Sequence, residues 1–96
     1  MKAENQSIST KKELLYLLKF SKEDVINNEP EKKIRSFQLI RAMQLGNLFK
    51  NKVTICFKDA QNRLMNINTT IWGVTKETVI LKKGVYLPIN SIISID

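Results

Sequence analysis

The C-terminal half of the chain alternates apolar and polar residues in short runs, a pattern that predicts β-strands. Val53, Ile55 and Phe57 alternate with other residues, as expected for a strand with one buried face. A longer alternating run reaches Trp72 and meets Gly73, where we expect a bulge or a sharp bend. Three further apolar runs follow, at 78–81, 85–89 and 92–95. Five short strands with no helix between them predict an antiparallel barrel over residues 50–96.

The N-terminal segment combines a polar tail with a leucine-rich run of helical period. Residues 1–9 show no periodicity and are predicted to be a disordered tail. Residues 11–20 place leucines on one face, and Thr10 and Glu13 have the spacing of a capping box. The leucines of this face are Leu14, Leu15, Leu17 and Leu18. This pattern predicts a first amphipathic helix.

A second run of helical period lies before the predicted barrel. Residues 31–45 have an apolar side, Pro30 suits the first turn of a helix, and Gly46 is a typical residue after a helix end. These features predict a second helix, and residues 10–49 then form a helical region. The predicted fold class is therefore α+β, with two N-terminal helices followed by a five-stranded antiparallel barrel of the SH3 or Sm type.

Length and composition indicate one small basic domain. The chain has 96 residues, is 43% hydrophobic and carries a formal net charge of +7. Its single Cys forms no internal disulfide, and the polar N-terminus has no apolar signal core, so we expect a cytoplasmic protein that does not insert into a membrane. A basic surface of this kind suits a phosphate backbone, although it is also common as an aid to solubility.

The residue types needed for most catalytic and metal sites are missing. The chain has no His, one Cys and three Gly, and the glycines do not form a phosphate-binding loop. Without His, the usual general base and the commonest metal ligand are both absent. We therefore expect a protein that is not an enzyme and that holds no cofactor or metal.

The aromatic and basic residues of the predicted barrel suggest a surface for nucleic acid. Bases stack on exposed rings while cations neutralise phosphates, and Trp72 and Tyr86 are the candidate rings. The candidate cations are Lys76, Lys82, Lys83 and Arg63 of the predicted barrel, together with Arg35 and Arg41 on the polar side of the second predicted helix. Trp72 has two interpretations at this point: it is either a stacking platform or part of the surface that the predicted helices cover.

A helix followed by five strands of this rhythm resembles the Sm-like fold of small SH3-like barrels. The strands at 53–57 and 78–81 carry the resemblance, with the bent strand through 71–74 and a short 3₁₀ turn at 87–92. The bacterial RNA chaperones of this family have a Tyr-Lys-His stretch before their last strand. Here the corresponding residues, 87–90, include no Lys or His, and Pro88 removes a backbone donor needed for ring assembly. The resemblance therefore implies the barrel and none of the RNA-binding residues.

Two functions from different classes follow from these observations. The first is non-catalytic binding of nucleic acid, with RNA as the expected ligand, through the basic surface of the barrel. The alternative is a protein-interaction or assembly module, in which the leucines at 14, 15, 17 and 18 dock to a partner or to a second copy. Burial of these leucines and of Trp72 distinguishes the two.

Overall fold

The computed structural model describes residues 7–96, which contain one α-helix, seven short strands and three 3₁₀ turns. The helix α1 spans Glu29–Phe49. The strands are β1 (Ile8–Ser9), β2 (Val53–Lys58), β3 (Leu64–Thr69), β4 (Ile71–Val74), β5 (Thr78–Leu81), β6 (Val85–Pro88) and β7 (Ile92–Ile95). The 3₁₀ turns are Lys12–Leu17, Lys82–Gly84 and Ile89–Ser91.

The strands form two sheets, so the predicted single five-stranded barrel is wrong. The first sheet has the order β1-β3-β2-β7 and the second has the order β4-β5-β6. The predicted long strand is divided at Thr70, whose carbonyl accepts the Lys82 backbone N–H at 3.0 Å. Because this bond joins Thr70 to the turn after β5, the chain passes from the first sheet to the second at this residue. The irregularity expected at Gly73 is present as a register shift between Ile71 and Gly73.

The core lies between the two sheets and the inner face of α1. The predicted alternation is confirmed in β2, where Ile55 and Phe57 are fully buried and pair with Ile67 and Met65 of β3. Leu39 and Ala42 of α1 join the same cluster. Each large apolar side chain removed from water stabilises the fold by roughly 1.5–3 kcal/mol. This shared core connects α1 firmly to the strands around it.

The helix α1 has Pro30 in its first turn, as predicted, but it begins at Glu29 and not at residue 31, and its end also differs from the prediction. Asn28 caps the helix by accepting the Glu31 backbone N–H at 3.0 Å, and Pro30 lies in the first turn. The predicted stop at Gly46 is wrong, because the helix continues through Phe49. It ends at Lys50, whose backbone is left-handed (φ 58°) and whose N–H donates to the Gly46 carbonyl. Gly46 instead permits close packing, since a Cβ there would lie 2.6 Å from the Ile71 carbonyl oxygen.

The predicted first helix is a short 3₁₀ turn, so the prediction of two helices is also wrong. The turn has no side-chain cap, and the chain is extended again at Leu18. A segment this short is not stable as an isolated helix, and here it is fixed by burial of Leu15. Of the predicted tail, residues 1–6 lie outside the described residues. Ile8 and Ser9 form β1 and pair in parallel with β3.

Candidate functional site

Trp72 lies on β4 with about half of its surface exposed. The residue is 49% exposed, whereas its neighbour Ile71 is fully buried, as expected for alternating positions on a strand. The helix α1 packs against β4 where Gly46 meets the Ile71 carbonyl, and this packing leaves half of the Trp72 surface accessible. Trp72 is therefore available as a surface for a ligand.

An open pocket of about 350 Å³ lies beside Trp72. Its walls combine the indole ring with three lysines, two from the segment between α1 and β2 and one from the turn after β5. The residues that line it are Gly46, Asn47, Lys50, Lys52, Thr70, Trp72 and Lys82. We call this cavity the Trp72 pocket. It places an aromatic ring and three cations around one opening.

The end of α1 delivers Lys50 and Asn47 to this pocket. Gly46 has no side chain, so the last turn of the helix can approach the backbone of β4 closely. The left-handed backbone of Lys50 then closes the helix through its N–H bond to the Gly46 carbonyl, at 2.9 Å. The close approach and the helix end together fix where the lysine side chain starts.

Lys52 and Lys82 reach the pocket from the strands. Lys52 precedes the first residue of β2, and Lys82 follows the last residue of β5. The Lys82 backbone N–H donates to Thr70 at 3.0 Å, which holds the end of β5 against the junction of the two sheets. Both lysines are exposed. Two cations from the segment between α1 and β2 and one from the turn after β5 therefore converge on one opening.

The electrostatics of the Trp72 pocket favour an anion. The described residues that line it include no Asp or Glu. Among residues 7–96, neither Lys50 nor Lys52 nor Lys82 forms an ion pair. Three ammonium groups with no carboxylate among them attract phosphate groups. The pocket thus has the ring and the cations expected for nucleic acid.

Arg35, predicted to contact phosphates, is not available for that role. It is 5% exposed, and its guanidinium donates to both oxygens of Asp24, at 2.8 and 2.6 Å. A third bond, of 2.9 Å, goes to the carbonyl of Ile92. Burial raises the pKa of Asp24, but hydrogen bonds from Arg35 and from the Ile26 N–H outweigh it and bring the pKa below its ordinary value of 3.8. Arg35 therefore fastens the segment before α1 to the helix and to β7.

Arg63 is also engaged by a carboxylate. Its Nε and NH2 atoms lie 2.7 and 2.6 Å from Oδ2 of Asp59, whose side chain is almost fully buried. Burial raises the pKa of Asp59, but hydrogen bonds from the Arg63 N–H, the Arg63 guanidinium and the Gln61 N–H together lower it below 3.8. Because this pair closes the turn between β2 and β3, it stabilises a loop and lies outside the Trp72 pocket.

The remaining predicted residues are exposed but do not all lie together. Arg41 lines a different depression, beside Val53 and Ile95. Lys76 lies on the turn between β4 and β5 and lines neither that depression nor the Trp72 pocket. Lys83 occupies the turn between β5 and β6 with a left-handed backbone (φ 69°). Tyr86 is on β6 and is 64% exposed. Only Trp72 and Lys82 of the predicted set share the Trp72 pocket.

The four leucines of the predicted docking face are divided by the 3₁₀ turn. Leu15 is buried in the core and Leu18 packs against it, whereas Leu14 and Leu17 are exposed. A continuous leucine surface is therefore absent from this part of the chain. Large exposed apolar residues are found instead along the outer side of α1. They are Ile34, Phe37, Ile40 and Leu48, and Phe49 at the end of the helix is exposed as well.

The sequence prediction missed Asn47, Lys50 and Lys52. The signal that could have found the lysines is the basic Lys50-Asn51-Lys52 run directly after the apolar pattern of α1. The predicted helix end at Gly46 separates this run from the helix, whereas the helix continues to Phe49, directly before it. Its proximity to Trp72 depends on packing between α1 and β4, which local sequence does not encode.

Two further results limit the chemistry of the described residues. Within residues 7–96 no three His, Cys, Asp or Glu side chains are grouped so that they could hold a metal ion. In the same range, α1 has 21 residues but is too polar to cross a membrane. Comparisons with models of protein families, with curated proteins and with solved structures gave no match for this chain.

Proposed function

We propose that the protein binds single-stranded nucleic acid, with RNA as the expected ligand, and that it does so without catalysing a reaction. The observation that carries this proposal is the Trp72 pocket, in which a half-exposed indole shares one opening with Lys50, Lys52 and Lys82. An exposed ring accepts a base by stacking, and nearby lysines neutralise the adjoining phosphates. The pocket volume of about 350 Å³ is within the range of ligand sites, roughly 300–1,000 Å³.

A single strand fits this arrangement better than a duplex. Bases in a duplex are stacked on each other, so their faces are not available to the Trp72 ring. Stacking on one aromatic side chain contributes roughly 1–3 kcal/mol and tolerates any base. The expected binding is therefore weakly selective for sequence and strongly dependent on salt.

The first experiment is a titration followed by the emission of Trp72, the one Trp of the chain. The ligands are single-stranded RNA, single-stranded DNA, duplex RNA and polyphosphate, each measured across a salt series. We expect quenching by the single strands and no quenching by polyphosphate. Trp72→Leu should weaken binding of single-stranded RNA by about ten-fold.

A pair of matched variants tests whether the pocket lysines act specifically. Replacing Lys50, Lys52 and Lys82 with Ala should make the slope of log K against log salt concentration less steep by about two. Each phosphate contact on a single strand contributes about 0.7 to that slope. The control replaces Lys19, Lys22 and Lys33 with Ala. These lysines are also exposed, and their replacement removes the same charge. Equal losses in the two variants, or polyphosphate binding as tight as RNA binding, would show that the net charge alone attracts the ligand.

The exposed outer side of α1 favours a second candidate function, association of two copies of the chain. Phe37 is 75% exposed, and Ile34, Ile40 and Leu48 lie on the same side of the helix. In an antiparallel pair, the acidic first turn of one helix lies near Lys50 of the other. Arg41 lies near the middle of this side and would approach its own copy, which weakens the pairing and makes this the second candidate.

Sedimentation equilibrium at increasing protein concentration tests this association. A dimer that is lost on Phe37→Ser but retained when Leu14 and Leu17 are both replaced with Ser would support the helix surface over the leucine residues. A monomer at every concentration would reject the association.

A further inference from the structure

A second aromatic surface lies on the other side of the turn that carries Lys82. Tyr16 and Tyr86 are 81% and 64% exposed, and both line an open groove of about 570 Å³ between the 3₁₀ turn Lys12–Leu17 and β6. We call this cavity the tyrosine groove. Its other lining residues are Lys12, Glu13, Leu15, Leu18, Phe20, Thr78, Gly84, Val85 and Pro88. Most of these side chains are apolar, so the groove suits flat, weakly polar groups better than phosphates.

The Trp72 pocket and the tyrosine groove lie at the two ends of one three-residue turn. Lys82 lines the pocket at the end of β5, and Gly84 and Val85 line the groove where β6 begins. Only Lys83 lies between them in the sequence. Both cavities are open at the surface, so a chain that leaves the pocket across this turn enters the groove.

The charges around the turn suit a phosphate backbone at this crossing. Lys83 is exposed on the turn. The pKa of Glu13 lies below its ordinary value of 4.5, chiefly because of a backbone hydrogen bond. The positive charges of Lys12 and Lys83 make smaller contributions in the same direction. Lys83 directly precedes Gly84, which lines the tyrosine groove, so it lies near the edge of that groove. Glu13, the one carboxylate among the described groove residues, is already paired with Lys12 at 3.4 Å.

We propose that a single strand bound at the Trp72 pocket continues over the Lys82–Gly84 turn and stacks its next bases on Tyr86 and Tyr16. The proposal rests on the proposed function and extends it, because it assigns the ligand a direction and a minimum length. In this arrangement Lys83 faces the phosphates at the crossing, and the apolar floor of the tyrosine groove covers the bases. Ligands too short to cross the turn contact the Trp72 pocket alone.

The test compares a single strand of about four nucleotides with one of about twelve, both of uniform sequence, within the usual range of single-strand sites. We expect the wild-type chain to bind the longer strand at least ten-fold more tightly. Replacing Tyr16 and Tyr86 with Ala should remove most of this gain and leave the affinity for the short strand unchanged. Replacing both with Phe should retain the gain, since the stacking face is kept.

Stability is checked separately, by urea unfolding of each variant, because both tyrosines are exposed and their replacement should leave the fold intact. If the double Ala variant still binds the longer strand as the wild type does, the path over the turn is wrong and the proposed function stands. If the wild-type chain binds neither strand with quenching of Trp72, the proposed function itself fails.

Discussion

The lysines at the Trp72 pocket and two arginines, Arg35 and Arg63, show that the same positive charge has different roles in this fold. Arg35 contacts Asp24 and Arg63 contacts Asp59, each at 2.6 Å, and in each pair one partner, Arg35 or Asp59, is buried. Lys50, Lys52 and Lys82 have no such partner among residues 7–96. The arginines therefore stabilise the chain, and the lysines remain available to a ligand.

The comparison explains why a list of basic residues is a poor guide to a binding site. Arginine forms bidentate bonds with carboxylates and is suited to buried pairs, whereas lysine is strongly hydrated and usually stays in water. Arg35 and Arg63 follow the first preference, and Lys50, Lys52 and Lys82 follow the second. The basic residues that matter for a ligand are those for which folding provides no acidic neighbour.

The largest expected effect is the loss of stability when the ion pair between Arg35 and Asp24 is broken. Asp24→Ala leaves the buried guanidinium of Arg35 without its carboxylate, and removal of one partner from such a pair should destabilise the fold by about 3 kcal/mol. Urea unfolding measures this loss. Glu23→Ala is the matched control, because Glu23 is an exposed acidic neighbour.

A second variant shows whether the missing carboxylate causes this loss. Replacing Arg35 with Met together with Asp24→Ala should recover part of the stability, since no unpaired charge is then buried. Surface substitutions usually change the free energy of unfolding by less than about 0.5 kcal/mol. If Asp24→Ala changes it by no more than that, the ion pair does not hold the segment before α1.

A smaller loss of stability is expected when the packing of α1 against β4, which forms the Trp72 pocket, is disturbed. Gly46→Ala adds a Cβ that would lie 2.6 Å from the Ile71 carbonyl oxygen, so α1 must move away from β4. Alanine favours a helix by about 1 kcal/mol over glycine, but crowding of this kind costs 1–3 kcal/mol, so we expect a net loss of about 1 kcal/mol. RNA affinity should fall with it, because Lys50 moves with the helix end.

Gln44→Ala serves as the control for this variant, because Gln44 is exposed on the same helix. It should leave both stability and affinity unchanged. If the Gly46→Ala protein has the same free energy of unfolding and the same RNA affinity as the wild type, the close approach of α1 does not position Lys50.

The smallest expected effect separates the Trp72 pocket from the general basic surface. Lys76 and Lys82 are exposed lysines on the two turns that flank β5, but only Lys82 lines the pocket. Lys82→Ala should make the slope of log K for RNA against log salt concentration less steep by about 0.7, the contribution of one phosphate contact. Lys76→Ala should change the RNA affinity by less than about two-fold. Anisotropy titrations across a salt series measure both. Equal effects would support a diffuse surface instead of a pocket.

Much of the secondary structure was predictable because it depends on neighbouring residues. The alternation through Ile55 and Phe57 located β2, and Asn28 to Glu31 has the residues of a capped, proline-containing helix start. The errors concern residues with two possible roles. Gly46 suits both a helix end and a close packing contact, and the leucines at 14–18 suit both a helix and a short turn with one buried residue.

The sequence by itself determined the alternation of β2, the proline-containing first turn of α1, the apolar residues of the core and the net positive charge. Tertiary structure decided the division into two sheets, the burial of Arg35 and the grouping of Lys50, Lys52 and Lys82 around Trp72. The physical reason is the range of the interactions. Periodicity and capping act between residues a few positions apart, whereas the Trp72 pocket exists only after a helix end, a strand and a turn from distant parts of the chain pack together.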